Sequence, residues 1–341
     1  MAILNPFDQS DAFTLVGLTT SINIIPNVYG RLLRGNIFVE KPIRTTSVVI
    51  ERQGNVLTLL PSMARGGPGS QSQHGKRNMI SLTVPHIPVT DVIRPQDFQG
   101  VREFGTEASL KTLASVMAGY LIDNKRKFDI TWEFLMWGAI KGLIMDGDGV
   151  TVLEDLFDRF KIVQMELFFE LDKEGTDVGS KCRALCRYME ENLLGDSMTG
   201  VRVFVSREFF DALITHPSVV KYFLNWQAAA QAQGRDPRKS FMFEGVVFEE
   251  FGGQAAAASG ENLRFIEAGQ GHAIPEGTLN TFQIALAPGD FIDTANTLGE
   301  WLYARQQMKD FERGVDLWFE SNPLPYCTRP NLLVRCHMES E

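Results

Sequence analysis

The sequence predicts an α+β fold in which helices and mostly antiparallel strands come from different stretches of the chain. Three observations carry this. Val163, Met165, Leu167, Phe169 and Leu171 alternate with a period of two, the signature of a half-buried strand. No proline occurs in the 121 residues between Pro95 and Pro217, so helices can run there unbroken. The last quarter of the chain, from Pro275, returns to short apolar segments punctuated by Pro, Gly, Asn and Asp.

At 341 residues the chain has room for roughly two domains. Apolar residues make up 44% and charged residues 22%, as in an ordinary soluble globular protein. The formal charge of −9 argues against a broad basic face that grips nucleic acid. No basic stretch followed by an apolar one marks the N-terminus, and no run of 18 apolar residues occurs, so neither a signal peptide nor a membrane span is expected. Cys182 and Cys186 stand at helical i, i+4 spacing, whereas eight residues separate Cys327 from Cys336. That is not the spacing of a structural zinc site, and all four read as buried, reduced thiols.

Along the chain, residues 1–36 read as an extended arm whose apolar side chains, among them Phe7, Phe13 and Ile22, need a surface to lie on. Residues 46–60 and 79–93 read as strands, and 61–78, rich in Gly, Ser and Pro, as a mobile tip between them. Together they predict a long projecting hairpin. Thr106 is a candidate N-cap for a helix carrying Leu110, Leu113, Met117 and Leu121. Phe128, Trp132, Leu135 and Ala139 continue or kink that helix. Asp146-Gly-Asp-Gly149 between two apolar runs predicts a hairpin turn. Helical spacing returns over 177–194, with Gly195 as its stop. Val201–Val205 reads as a short buried strand, followed by a helix capped by Ser206 and stopped by Pro217. Another helix starts at Val219 and runs into an exposed Ala-rich loop at 228–232. Phe241–Phe251 predicts a hairpin turning at Glu244-Gly245, and 255–258 a second Ala-rich loop.

The search for reaction chemistry ends without a site. Gly69 and Gly75-Lys76 have five intervening residues where a phosphate loop needs four, and Arg77 follows where Ser or Thr is needed. Asp146-Gly-Asp-Gly lacks the Glu at position twelve of a calcium loop, which is Phe157 here. Gly269-Gln-Gly-His272 opens no helix, and the five histidines fall into no metalloprotease pattern. His216 sits at a helix C-terminus, where the partial negative charge favours it. No catalytic residue, cofactor or metal is therefore expected.

The tail carries a family resemblance. Ala287-Pro288 before Asp290-Phe291, Asn296-Thr-Leu-Gly299, Ser321-Asn-Pro-Leu-Pro325 and Thr328-Arg-Pro330 resemble the C-terminal region of major capsid proteins of lambda-type tailed bacteriophages. The segment Gly142–Phe157, with its Asp-Gly turn, and the hairpin Phe241–Phe251 resemble the same family. The resemblance implies the Hong Kong 97 phage capsid fold. Its parts would be an N-terminal arm (1–36), an extension-loop hairpin (37–90), a peripheral domain with a spine helix and narrow antiparallel sheet (91–160, completed by 275–341), and an axial α/β domain (161–274).

It further implies self-assembly into homo-hexamers and homo-pentamers of an icosahedral head, located in the virion and built in the bacterial host cytoplasm. Implied partners are a scaffold protein, a portal, a decoration protein and double-stranded DNA held without sequence specificity. No membrane is among them. Candidate inter-subunit residues are Phe7, Phe13, Ile22, Arg65, Gly66, Gly67, Lys76, Arg77, Arg235 and Arg238. Two alternatives stand beside this reading: an encapsulin-like cellular compartment shell, and a hydrolase using a carboxylate pair that sequence spacing does not reveal.

Overall fold

The proline-free stretch folds as one helix, Leu113–Lys141, about 43 Å long at 1.5 Å per residue. The structure, a computed structural model, describes residues 30–53, 77–97, 99, 112–193, 196–234, 236–257 and 260–340. Thr106 lies outside them. In the described helix Thr112 and Ser115 close the first turn reciprocally: the Ser115 N–H donates to Thr112 Oγ1 (3.2 Å) and the Thr112 N–H to Ser115 Oγ (3.1 Å). Met117, Leu121, Phe128, Trp132, Leu135 and Ala139 are all buried, as their spacing requires. From Trp132 to Ile140 only Phe134 is not fully covered, so this half of the helix is buried all round.

The chain folds as two units. The first comprises the described part of Met1–Val48 with Thr83–Met136 and Gln283–Pro325. It contains an antiparallel sheet in the order Tyr303–Met308, Val315–Ser321, Ile87–Ile93. A second three-stranded sheet runs Val39–Pro42, Phe282–Leu286, Pro323–Cys327, its first pair parallel. Residues 79–93, expected as one strand, form parts of two, Arg77–Thr83 and Ile87–Ile93. Pro85 sits at the break, where it has no N–H to donate to a ladder. The first strand pairs in a two-stranded sheet with Ser47–Gln53, as the hairpin reading expects, and the second with Val315–Ser321.

The second unit comprises Val49–Leu82, Trp137–Phe282 and Tyr326–Glu341. Its six-stranded mixed sheet has the order Met165–Phe168, Val334–His337, Gln270–Glu276, Gly200–Val205, Val246–Glu250, Phe241–Phe243. One face packs Val201, Val203, Val205, Ala273, Val334 and Cys336 against the helices Val178–Asn192 and Arg207–Thr215. Ser206 caps the second of these through the Phe209 N–H (3.2 Å), and His216 takes an extended conformation before Pro217, which ends the helix at Thr215. The turn Glu244-Gly245 has positive φ at both residues (48° and 83°), as a two-residue hairpin demands.

The Asp-Gly turn likewise joins paired strands, Leu143–Met145 and Val152–Asp155. Residues 228–232 are not a loop: they complete the helix Val220–Ala232, since alanine is the best helix former when nothing opposes it. Of the loop expected over 255–258, Ala255 and Ala256 lie in the strand Gln254–Ala256, paired with Asn262–Arg264, and Ala258 lies outside the described residues. Gly195 lies outside the described residues. The helix Val178–Asn192 is capped at its start by Asp177, which accepts the Ser180 N–H.

No disulfide joins the cysteines: Cys182, Cys327 and Cys336 are buried and Cys186 half-buried. Burial pushes the Cys327 thiol up to about 12 and raises Cys182 and Cys336 as well, so these thiols pack as small apolar groups. Among the described residues no group of three His, Cys, Asp or Glu could hold a metal ion. None of the described helices is long and apolar enough to cross a membrane.

The other face of the six-stranded sheet is mixed: Phe204 and Ile274 are buried there, with Trp137 edge-on to Phe204, beside the polar side chains of Arg202, Glu249 and His272. Arg202 bridges Glu249 and Glu276, each at 2.5 Å. His272 lies opposite Arg335 in the ladder, with neither ring nitrogen hydrogen bonded. Burial, reinforced by the charges of Lys141, Arg335 and His337, pushes the His272 imidazole down to about 3. The unfolded chain therefore binds a proton that the folded chain refuses. Stability contributed by neutral His272 is complete above about pH 6.5 and falls progressively below it, by roughly 4–5 kcal/mol at the acid limit. Thermal unfolding between pH 7 and 4 should show a shallower loss for His272→Phe than for the parent chain.

Candidate assembly interface

The long helix carries a second stripe, polar and buried: Asn124, Lys125, Asp129 and Glu133. Lys125 Nζ donates to Asp129 Oδ1 (2.5 Å) and sits 4.1 Å from the Trp132 ring centre. Burial holds the Lys125 ammonium below its ordinary range, and the hydrogen bond it donates to Asp129 opposes that shift. Asn124 Nδ2 reaches Asp91 Oδ2 (3.4 Å) and the Tyr120 carbonyl (3.0 Å). Glu133 accepts the backbone N–H groups of Arg31 (2.8 Å), Leu32 (2.9 Å) and Leu33 (3.2 Å). These are the orphan donors at the start of the short helix Arg31–Arg34. A side chain a hundred residues away thus holds the start of this short helix.

The tail motif is a polar joint. Trp132 Nε1 donates to Ser321 Oγ (2.9 Å), which donates to the Trp301 carbonyl (2.6 Å), and the two indoles stand 4.7 Å apart. Asn322 Nδ2 donates to the Pro288 carbonyl (2.9 Å) and Glu320 Oε1 (2.9 Å), while the Asp290 N–H donates to the same Glu320 oxygen (2.6 Å). Gly299 donates to the Ile43 carbonyl (3.0 Å), and a Cβ there would stand 2.2 Å from the Leu286 carbonyl oxygen, so only glycine fits this approach. The residues of Ala287–Gly299 and Ser321–Asn322 that mark the motif in sequence are held to one another by these bonds.

The hairpin Ser47–Gln53 with Arg77–Thr83 has one covered face (Val48, Ile50, Leu82), while Val49 and Met79 are exposed. Its root is pinned by the Val84 N–H donating to the Thr46 carbonyl (3.0 Å). Further apolar side chains stand in solvent: Ile292 and Phe311 in the first unit, Val163, Tyr222, Leu224 and Met242 in the second.

Of the residues singled out in sequence, Phe7, Phe13, Ile22, Arg65, Gly66, Gly67, Lys76 and Arg235 lie outside the described residues. Arg77 opens the strand Arg77–Thr83. Arg238 is exposed and pairs within its own chain, with Asp236 (2.9 Å) and at 3.8 Å with Glu250. Sequence reading missed Glu133 and Glu320. A polar residue on a helix or strand is ordinarily a solvated one, and the signal that marks these two is only their place inside otherwise apolar runs.

A long helix, a narrow antiparallel sheet, an α/β sheet unit and a paired hairpin are the elements of the tailed-phage capsid fold, the Hong Kong 97 type. The chain superposes on a subunit of the mature capsid of bacteriophage PhiM1 with a TM-score of 0.51 at 16% identity, covering 93% of this chain and 89% of that one. It belongs to the family of phage major capsid protein E, whose model matches residues 14–338. It is 31% identical to the major capsid protein of Salmonella phage Felix O1 over 96% of both chains. It is 28% identical to that of Pseudomonas phage KPP10, covering 98% of this chain and 97% of the other. The chain is thus a major capsid protein, a structural component of the virion that assembles into the head shell.

Glu133 offers a direct check of the joint at residues 31–33. Glu133→Gln keeps one acceptor oxygen and should cost about 1 kcal/mol, whereas Glu133→Ala strands buried donors and should cost about 2–4 kcal/mol, read by denaturant unfolding.

Proposed function

We propose that this chain forms the hexamers and pentamers of an icosahedral head that encloses double-stranded DNA without reading its sequence, and that its role is structural rather than catalytic. In this reading the unit with the two three-stranded sheets serves as the peripheral domain expected over 91–160 and 275–341. The unit with the six-stranded sheet serves as the axial domain expected over 161–274, joined there by Tyr326–Glu341. Residues 37–90 supply the extension loop, and the segment before Gly30 an arm onto a neighbour. A scaffold protein, portal and decoration protein act with it during assembly in the host cytoplasm. The charge of −9 suits a wall along which packaged DNA moves without sticking.

The observation that carries the reading is the two-stranded hairpin. A two-stranded sheet is marginal in water on its own, and this one leaves Val49 and Met79 uncovered. A neighbouring subunit would supply the missing cover. Deleting residues 64–77 should leave a folded subunit but abolish or deform shells in electron micrographs. Normal particles from that deletion would count against the extension-loop role. Removing residues 1–25 should lower the temperature at which particles dissociate, and an unchanged temperature would dismiss the arm.

A further inference from the structure

The antiparallel pair Tyr303–Met308 and Val315–Ser321 ends at the match of Met308 with Val315, leaving residues 309–314 as its connecting loop. The loop is closed at its base: the Lys309 N–H donates to the Gly314 carbonyl (2.9 Å), and Lys309 Nζ pairs with Asp316 (3.0 Å). At its tip two successive non-glycine residues take the left-handed conformation, Phe311 (φ 59°, ψ 23°) and Glu312 (φ 56°). L-residues avoid this region because Cβ crowds the following carbonyl, and only Gly and, less freely, Asn or Asp enter it at little cost. A phenylalanine there is an outlier, and its ring is 90% exposed with no aromatic partner among the described residues. On the strands behind it Tyr303, Ala304, Val315, Leu317 and Phe319 are buried, while Trp318 faces outward, partly exposed. Among the described residues, then, the tip combines backbone strain with an uncovered aromatic ring, and the bond from the Glu312 N–H to the Lys309 carbonyl (3.0 Å) closes the turn without covering the ring.

We propose that Phe311 is an assembly knob: a strained tip that presents an aromatic anchor to a second copy of this chain in the shell. The proposal rests on the shell function above and names a contact that the hairpin and arm do not supply. A second copy is the fitting partner because the chain's own assembly is the association its family defines. Exposed Asp310, Glu312 and Arg313 flank the ring with charges of both signs, a rim suited to a surface that meets the same kind of chain. Large aromatic side chains in such settings dominate contact energies. Backbone strain of this kind clusters at functional positions.

The test exploits the opposite signs that the two roles demand. Particles of the full chain, produced with its assembly partners, would be made with Phe311→Asn, Phe311→Gly and Phe311→Trp. Dissociation would be followed by light scattering in guanidinium, and unfolding of the released subunits by circular dichroism. Phe311→Asn and Phe311→Gly relieve the left-handed strain and remove the ring. Their particles should dissociate at lower denaturant, while their subunits should be at least as stable as the parent, with the folding equilibrium raised by up to about tenfold. Phe311→Trp keeps an aromatic anchor and should preserve particle stability. Asn and Gly particles as robust as the parent would overturn the proposal. So would subunits weakened in step with their particles, because the ring would then be serving its own fold. Absence of particles from the parent chain would instead remove the shell reading itself, and this inference with it.

Discussion

The buried polar stripe on the long helix is the constraint around which the first unit is organised. Asn124, Lys125, Asp129 and Glu133 repeat at helical spacing on a surface closed to water. Burying such groups is expensive unless each finds a partner of good geometry. The partners outside the helix are what fix the surroundings: Asp91 in the sheet strand Ile87–Ile93, and the backbone N–H groups of residues 31–33. An apolar face alone would let the helix slide or rotate against its sheet at little cost. A stripe of specific hydrogen bonds permits one register. The tail motif applies the same logic from the other side, with Glu320, Ser321 and Asn322 buried and each bonded to a named group.

The exposed apolar side chains lie away from these joints. Val49 and Met79 on the hairpin, Phe311 on a loop tip, and Tyr222 and Met242 on the sheet unit all stand exposed on elements whose bases are hydrogen bonded or packed. Single exposed apolar residues are common in soluble proteins. In a protein whose family forms shells, weak contacts of this kind would add up, because multivalent association sums modest interfaces.

Much of this was legible in the sequence, and the pattern of success is physical. Local signals read true: the Asp146-Gly turn, the Glu244-Gly245 turn, the Ser206 cap and the apolar face of the long helix each depend on neighbours a few residues away. Where the sequence reading fails, it underweights a local signal: alanines 228–230 and 232, expected in a loop, follow their own propensity into the helix, and the run 79–93, expected as one strand, is divided at Pro85 between two sheets. The buried polar stripe was not legible, because Glu133 and its partners are about a hundred residues apart and spaced carboxylates on a helix ordinarily face water. The family likeness was legible in the tail for a reason the structure supplies: its Pro, Gly and Asn residues make the close approach and the hydrogen bonds that hold the joint, and few other residues could.

The central claim is that this chain builds a closed shell. Electron microscopy of the protein produced in bacteria, alone and together with the neighbouring phage genes, tests it most directly. The account predicts closed shells, five- or six-membered rings, or sheets of capsomers in at least the co-produced sample. Dispersed monomers in both samples would contradict it.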